Sequence, residues 1–378
     1  MNSLRDIVES SSQMRVSETN AYSAQGEEAP QSLAPARWDW DKVQRVLVIR
    51  LRSIGDTVLA TPSLFALKRF LPHAEIDILV EDWVAPLLTD HPYVDNVVVL
   101  ERGGLVTRMR VAGALRSARY DVVYNLHGGT TATFLTRATG ARHRVGFKTY
   151  QYAKLHTELV PSASLLWGRQ RAHSVEQQLA LLGWTGVPVS DRPRTHLGIS
   201  AEATEAVNQR LAAAGLADRK LALIHPATAF ETKRWATENF ARVAEYVAER
   251  GYAPVAVAGP HEQAILRDLL REASVNIVDL ELSLPEVTAL AARSQLFVGN
   301  DSGIAHIAAA VGTPSVVIFG SSNIAHWRPW NRARAEVVYE EMPCQPCHGY
   351  FCEKFPAPEC ILRVPVSRVV AAIERCLN

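Results

Sequence analysis

Asp301, Ser302, Gly303 and His306 stand close together between the mostly apolar run Gln295 to Val298 and a small-residue stretch carrying Ala305, Ala308, Ala309 and Ala310. This order reads as strand, polar turn and helix, with Asp301 or Ser302 as the source of the N-cap oxygen. The start of a helix presents unpaired N–H groups and the positive end of the dipole, which together hold a phosphate without a metal. Gly303 lets a ligand approach the backbone. Pro314 to Phe319 begins the next strand, so the segment is a βαβ unit with a ligand-type turn. The plainer reading is a capped core helix with His306 packed inside it.

A second turn has the same form. Arg45 to Arg50 is a short apolar strand, Leu51 to Asp56 is a polar turn with Arg52, Ser53, Gly55 and Asp56, and Thr57 to Phe70 has helical periodicity. A carboxylate at such a turn can take the proton of an attacking alcohol, or it can simply cap the helix. A third turn, His127-Gly128-Gly129, follows the run Val122 to Tyr124, and a fourth, His225-Pro226-Ala227-Thr228, follows Leu221 to Ile224.

Val-Leu-Val-Ile-Arg-Leu-Arg-Ser-Ile-Gly-Asp-Thr-Val-Leu-Ala-Thr-Pro from Val46 to Pro62, Lys233-Arg234-Trp235, and Asp-Ser-Gly-Ile-Ala-His at 301–306 resemble glycosyltransferase family 9, the lipopolysaccharide heptosyltransferases. The resemblance runs from about residue 45 to the C-terminus, with the motifs in the family's order. It implies an inverting, metal-independent transferase that moves a heptose-type sugar from a nucleoside diphosphate, ADP-heptose, to a lipopolysaccharide-core or similar acidic acceptor. It makes Asp56 the catalytic base and gives Lys233 to the departing diphosphate, where a point charge stabilises the leaving group. Asp301 would contact donor-sugar hydroxyls, while Ser302, Gly303 and His306 would hold the diphosphate. Thr228 and Thr232 could add hydroxyl donors, and Glu262 is a candidate for the ribose or a first-turn residue favouring the helix dipole. Ser53, Gly55 and His127 fall on the acceptor side. Ala236 stands where the family commonly has proline, and Gly320-Ser321-Ser322 where Gly-Pro-Thr is usual, so the motifs support the reaction class better than the exact sugar.

The elements that must position these turns alternate along the chain. Ile76 to Val80, Val97 to Leu100 and Val122 to Tyr124 continue the first series of strands; Leu221 to Ile224, Pro254 to Ala258, Asn276 to Val278, Gln295 to Val298 and Ser315 to Phe319 form a second. The expected fold is α/β, with two Rossmann-like doubly wound domains facing a central cleft of the GT-B type. Residues 37–190 form the acceptor-side domain and 191–378 the donor domain, joined through the Pro-rich exit of Ser162 to Arg194. The last helix, Val366 to Leu377, is expected to pack across the boundary. Residues 1–36 are rich in Ser, Glu, Gln and Ala and read as a disordered tail without a signal-peptide core.

With 378 residues, 48% of them hydrophobic, and no apolar run of spanning length, the expectation is a soluble, cytoplasmic two-domain protein. A net charge of +1 argues against general nucleic-acid binding. The charge is uneven, however: between Arg102 and Thr157 ten basic residues face one acid, Asp121. That balance suits an acidic, lipid-linked acceptor approached by Arg108 and Arg110, or peripheral contact with the inner membrane.

Cys344, Cys347, Cys352 and Cys360 form C-x₂-C-x₄-C-x₇-C in the Pro-rich loop 343–360, with His348 beside the second. The spacing could hold a structural zinc, or the thiols could be reduced and structurally plain. The lone Asp39-Trp40-Asp41 precedes the first strand, away from the strand-end setting of a catalytic metal, so no cofactor is expected for the reaction. The alternatives to transfer are a nucleotide-sugar epimerase and a non-catalytic nucleotide-sugar binding protein. A dehydrogenase is disfavoured because no G-x-G-x-x-G follows the first strand.

Overall fold

The computed structural model describes residues 29–330, 334–347 and 349–378. The first half is a six-stranded parallel sheet of β1 (Arg45–Ile49), β2 (Glu75–Glu81), β3 (Asn96–Leu100), β4 (Val122–Asn125), β5 (His143–Phe147) and β6 (Glu158–Val160), in the order β3-β2-β1-β4-β5-β6. The second half repeats the plan with β7 (Lys220–His225), β8 (Tyr252–Val257), β9 (Val278–Leu280), β10 (Leu296–Asn300), β11 (Ser315–Phe319) and β12 (Ala335–Tyr339), in the order β12-β11-β10-β7-β8-β9. Counted within its own half, each sheet runs 3-2-1-4-5-6. Its direction of winding therefore reverses between the first and fourth strands, where ligands of open α/β sheets bind. Two such domains are the GT-B arrangement.

Parallel strands covered on both faces need apolar residues at every position. In β1, Val46 and Val48 enter one core and Leu47 and Ile49 the other. Eight helices matter for the site: α1 (Ile54–Val58), α2 (Thr61–Phe70), α3 (Leu105–Ser117), α4 (Thr130–Ala138), α5 (Ser174–Gly183), α6 (Thr237–Glu249), α7 (Gly303–Ala310) and α8 (Val366–Leu377). Residues of α2 and α5 cover one face of the first sheet, and residues of α3 and α4 cover the other. The first of these cores continues into the second half through Leu221, Leu223, Phe297, Ile304 and Val317.

Several expectations shift in detail. The single helix from Thr57 to Phe70 is two, separated at Leu59 and Ala60, with Pro62 in the first turn of the second, where its missing N–H costs nothing. The helix α8 packs on β11, β12 and α6, all within the second half, instead of crossing the boundary. The tail expectation for residues 1–28 lies outside the described residues, and the chain is bonded to the first domain from Gln31. Its carbonyl accepts from the Val189 N–H, and Leu33 and Ala34 donate to the Gly183 carbonyl. Between the halves, the Thr195 hydroxyl donates to the Trp330 carbonyl while the His196 N–H donates to the Thr61 hydroxyl, so adjacent linker residues hold opposite domains.

Candidate active site

At the switch point of the first sheet, β1 ends in Arg50 and the chain turns into α1. Asp56 lies at the third position of α1, where its Oδ2 accepts from the Ser53 N–H at 3.4 Å and the Ser53 hydroxyl at 3.2 Å. This is the reciprocal capping arrangement, and it fixes the carboxylate at the turn. The other oxygen, Oδ1, is paired with the Arg50 guanidinium, which also donates to the Leu126 carbonyl at 2.5 Å. Arg50 is buried, so its charge faces Asp56 in a medium that screens it little. The capping and catalytic readings of Asp56 thus describe the same carboxylate.

His127 follows β4 on the adjacent strand. Its own N–H and that of Gly128 donate to the Asn125 side chain at 3.1 and 2.9 Å, a turn that gives Gly128 a φ of +79° with Tyr150 against it. Burial, and then the Arg50 charge, pull the His127 pKa down to about 4, so the ring is neutral near pH 7. Its Nδ1 is buried without a partner among the described residues. A hollow of about 380 Å³ opens here, lined by His127 and Arg108 together with Arg52, Arg102 and Glu81. Arg110, expected beside Arg108, does not line it and points from the exposed side of α3.

The second half meets this turn head-on. In α7, Gly303 lies so close to α1 that a Cβ there would come within 2.6 Å of the Ile54 Cβ; a Cβ on Gly55 would sit 2.7 Å from the His306 ring. Two glycines, one from each half, therefore allow the Asp56 turn and the Ser302-Gly303 turn to touch. His306 is 5% exposed, its Nδ1 has no partner among the described residues, and burial pushes its pKa down against the nearby charges of Asp301 and Asp56.

The donor turn departs from expectation at its cap. Ser302 is the N-cap residue of α7, but neither it nor Asp301 supplies the capping oxygen. The Ser302 hydroxyl lies 3.2 Å from His225 Nδ1, and Asp301 Oδ2 accepts from Lys233 at 2.9 Å and from the Ser322 hydroxyl at 2.5 Å. The first amides of α7 are left without a side-chain cap, which is the state that receives an anion.

Lys233 and Asp301, expected at diphosphate and sugar, are thus paired with each other. Thr228, at the end of the turn after β7, donates to the Asp301 carbonyl at 3.2 Å. Glu262 caps the helix that follows β8 and takes the Gly259 N–H at 2.8 Å, with His225 Nε2 3.6 Å away. Burial pushes its carboxyl up, but the His225 hydrogen bond and charge, the Gly259 N–H and Arg234 together hold it below the usual range.

Sequence reasoning missed the residues that hold these turns in place. Asn300, fully buried at the end of β10, accepts from the Trp235 N–H at 3.1 Å and donates to the Pro226 carbonyl at 2.7 Å. Trp235 is itself fully buried and donates from its indole to the Val364 carbonyl at 2.9 Å. Arg50, Ser322 and His225 were named only within their segments, with no role given to them. Most of their partners are distant in sequence, so only a polar residue at a strand end signals them.

The cysteine loop packs behind the donor turn. Gln345 donates to the Gly320 carbonyl at 2.6 Å, the Cys347 N–H to the Ser321 carbonyl at 3.0 Å, and the Thr232 hydroxyl to the Gly349 carbonyl at 3.0 Å. All four thiols border one hollow of about 460 Å³, yet among the described residues no group of three or more His, Cys, Asp or Glu side chains is placed to hold a metal. His348 lies outside the described residues. The possible structural zinc therefore has no support in this geometry, and hydrogen bonds through Gln345, Cys347 and Thr232 pin the loop.

The family model "Glycosyltransferase family 9 (heptosyltransferase)" matches residues 108–356, more than half of the chain. Lipopolysaccharide heptosyltransferase 3 of Escherichia coli is 27% identical over 347 residues, covering 86% of this chain and 97% of that protein. Lipopolysaccharide heptosyltransferase 1 of Pseudomonas aeruginosa is 26% identical over 368 residues, covering 88% and 98%. Among solved structures, a glycosyl transferase family 9 protein of Veillonella parvula superposes with a TM-score of 0.77 at 22% identity, covering 88% of this chain and 97% of that one. The E. coli ADP-heptose lipopolysaccharide heptosyltransferase II gives 0.74 at 21%, covering 88% and 98%. With the repeated sheet order and the facing turns, these matches establish that the chain belongs to glycosyltransferase family 9, the heptosyltransferase family, and is a glycosyltransferase of GT-B fold.

Proposed function

We propose that this enzyme transfers a heptose-type sugar from a nucleoside diphosphate donor, ADP-heptose, to an acidic, lipid-linked acceptor of the lipopolysaccharide-core kind, with inversion and without a metal. The observation that carries the reading is the contact of the two turns: the Asp56 turn meets α7 through Gly55 and Gly303, so a base from one domain faces a phosphate-type site from the other. The acceptor hydroxyl enters from the hollow lined by Arg108 and His127 and gives its proton to Asp56 as its oxygen bonds to the anomeric carbon. The bond from that carbon to the phosphate oxygen breaks on the opposite face, which inverts the configuration. The departing diphosphate takes its charge to Lys233 and the amide end of α7. Asp301, relieved of Lys233, is free to hold sugar hydroxyls, and Glu262 is placed for the ribose.

Two features of the chain favour a cytoplasmic enzyme working at the inner membrane: its basic stretch, and the lack, among the described residues, of any helix long and apolar enough to cross a membrane. The family assignment favours transfer over the epimerase and the simple binding module. Acceptor-dependent release of nucleoside diphosphate, with the product anomer read by NMR, tests the reading. Asp56→Asn should lower turnover by about two to four orders of magnitude with donor affinity nearly unchanged. A sugar altered without acceptor would mean epimerisation, binding alone would mean a module, and full turnover in Asp56→Asn would remove the base.

A further inference from the structure

The outer face of α3 has no partner among the described residues. Leu105 and Val106 are each 74% exposed and Met109 is 64% exposed, while the opposite side of the helix buries Val111 and Leu115 against the first sheet. Positions 105 and 109, and 106 and 109, are spaced by four and three residues, so the three side chains form one ridge. The neighbouring helix α4, which packs beside α3, also exposes an aromatic pair: Phe134 is 52% exposed and lies 5.5 Å, ring to ring, from Tyr152, itself 51% exposed.

The charges on the helix itself have one sign, although Glu81 and Glu101 line the neighbouring hollow and Asp82 pairs with Arg102. The helix α3 contains Arg108, Arg110 and Arg116 and no acid. The single acid of the surrounding stretch, Asp121, is occupied by the backbone N–H groups of Gln44 and Arg45 at 2.8 and 3.0 Å. Bulky apolar side chains in a field of arginine are what an anionic lipid surface selects: the chains insert at the headgroup boundary while the guanidinium groups meet the phosphates. The ridge also begins at the rim of the hollow lined by Arg102 and Arg108.

We propose that this face of α3, with the Phe134 and Tyr152 rings, docks the enzyme on an anionic lipid bilayer. Docking turns the acceptor hollow toward the membrane, so that a lipid-linked acceptor reaches Asp56 without leaving the bilayer. That last step rests on the acceptor reading above; the docking itself does not.

Sedimentation with vesicles of phosphatidylcholine alone and of phosphatidylcholine mixed with phosphatidylglycerol tests this. The full chain should bind the mixed vesicles, not the neutral ones, and lose binding as salt rises. The triple variant Leu105→Ser, Val106→Ser, Met109→Ser should bind about ten-fold more weakly or worse, and Leu105→Glu should weaken binding in the same direction. Both should keep the wild-type melting temperature and turnover on a soluble acceptor fragment, because none of these side chains is buried or in the site. Wild-type protein that ignores the mixed vesicles, or a triple variant that binds them equally, overturns the proposal. So does light scattering that shows a wild-type dimer split by the triple variant, since the face would then be covered by a second copy. Wild-type protein that transfers sugar yet does not bind the mixed vesicles would sink the docking and leave the function standing; wild-type protein that binds them yet transfers nothing would do the reverse.

Discussion

Gly55→Ala isolates the contact between the two domains. In a free helix the change would stabilise by about 1 kcal/mol, because glycine is the poorer helix former. Here the new methyl would lie 2.7 Å from His306 Cδ2, with ring atoms at 3.4 and 3.6 Å behind it. Carbon atoms settle about 3.5–4.0 Å apart, so roughly 1 Å of separation has to be found. His306 is nearly fully buried and cannot swing aside, and overpacking of this kind costs about 1–3 kcal/mol, more than the helix gains. The relaxation that disturbs least is a small opening between α1 and α7, which draws Asp56 back from the donor. A misplacement of about 1 Å at the reacting groups lowers turnover by up to ~10²-fold. Steady-state kinetics should therefore show turnover down by about 10- to 100-fold, with calorimetric affinity for the free nucleoside diphosphate changed by less than about two-fold, since that site belongs to one domain. Gly113→Ala, where a Cβ meets nothing within 4 Å, is the control and should be neutral or slightly stabilising. Wild-type turnover in Gly55→Ala would refute the reasoning, because the two turns would then not need their close approach.

Lys233→Ala should weaken binding of the free nucleoside diphosphate, whereas Asp301→Ala should weaken the sugar-bearing donor more; equal losses on both ligands in calorimetry would show that the roles are not divided in this way. Arg50→Met removes the partner that fixes Asp56 and should cut turnover while sparing donor affinity, and an unchanged rate would leave Ser53 as sufficient anchor. Burial, outweighing the His196 carbonyl beside it, holds the His91 pKa at about 4, below its ordinary 6.5. The unfolded chain thus binds the proton first as pH falls, so stability is whole above about 6.5 and declines toward 4. Urea titrations across that window should show the decline, and His91→Gln should remove part of it, the rest coming from other buried histidines held low such as His127 and His173; parallel curves would exclude His91 as a source.

The fold was legible where strands were central. The runs around β1, β2, β4, β10 and β11 are apolar at nearly every position because both faces are covered, and a reader of the sequence sees them at once. At the edges, β3 was read from its valine run and β9 in part from Asn276 to Val278, but β5, β6 and β12 were not: β5 begins His-Arg, β6 is three residues long and β12 mixes Ala and Glu with its valines, so their strand character comes from their neighbours. The site divides similarly. Asp56, Lys233, Asp301 and Ser302 were found because each lies in a short motif at a turn. Arg50 and Asn300 were not: Arg50 lies only six residues from Asp56, but its burial against the Leu126 carbonyl is a relation across the fold, as is the buried asparagine bridging β10 to the loop after β7. The capping serine was expected to close its helix, and local pattern gave no sign that its hydroxyl would turn to His225 instead.

That open cap has a thermodynamic consequence. A missing N-cap oxygen typically costs about 0.5–2 kcal/mol of local stability, and α7 carries that deficit in the middle of the second domain. An anion bound at its amides fills the vacancy, so part of the binding free energy of a nucleoside diphosphate is folding free energy of this helix. The ligand becomes a structural member of the domain for as long as it stays, and the melting temperature rises with its concentration by mass action. Without a bound anion, the amides at the start of α7 should exchange with solvent faster than the sheet strands beside them, and ligand should slow them before it slows the rest of the sheet.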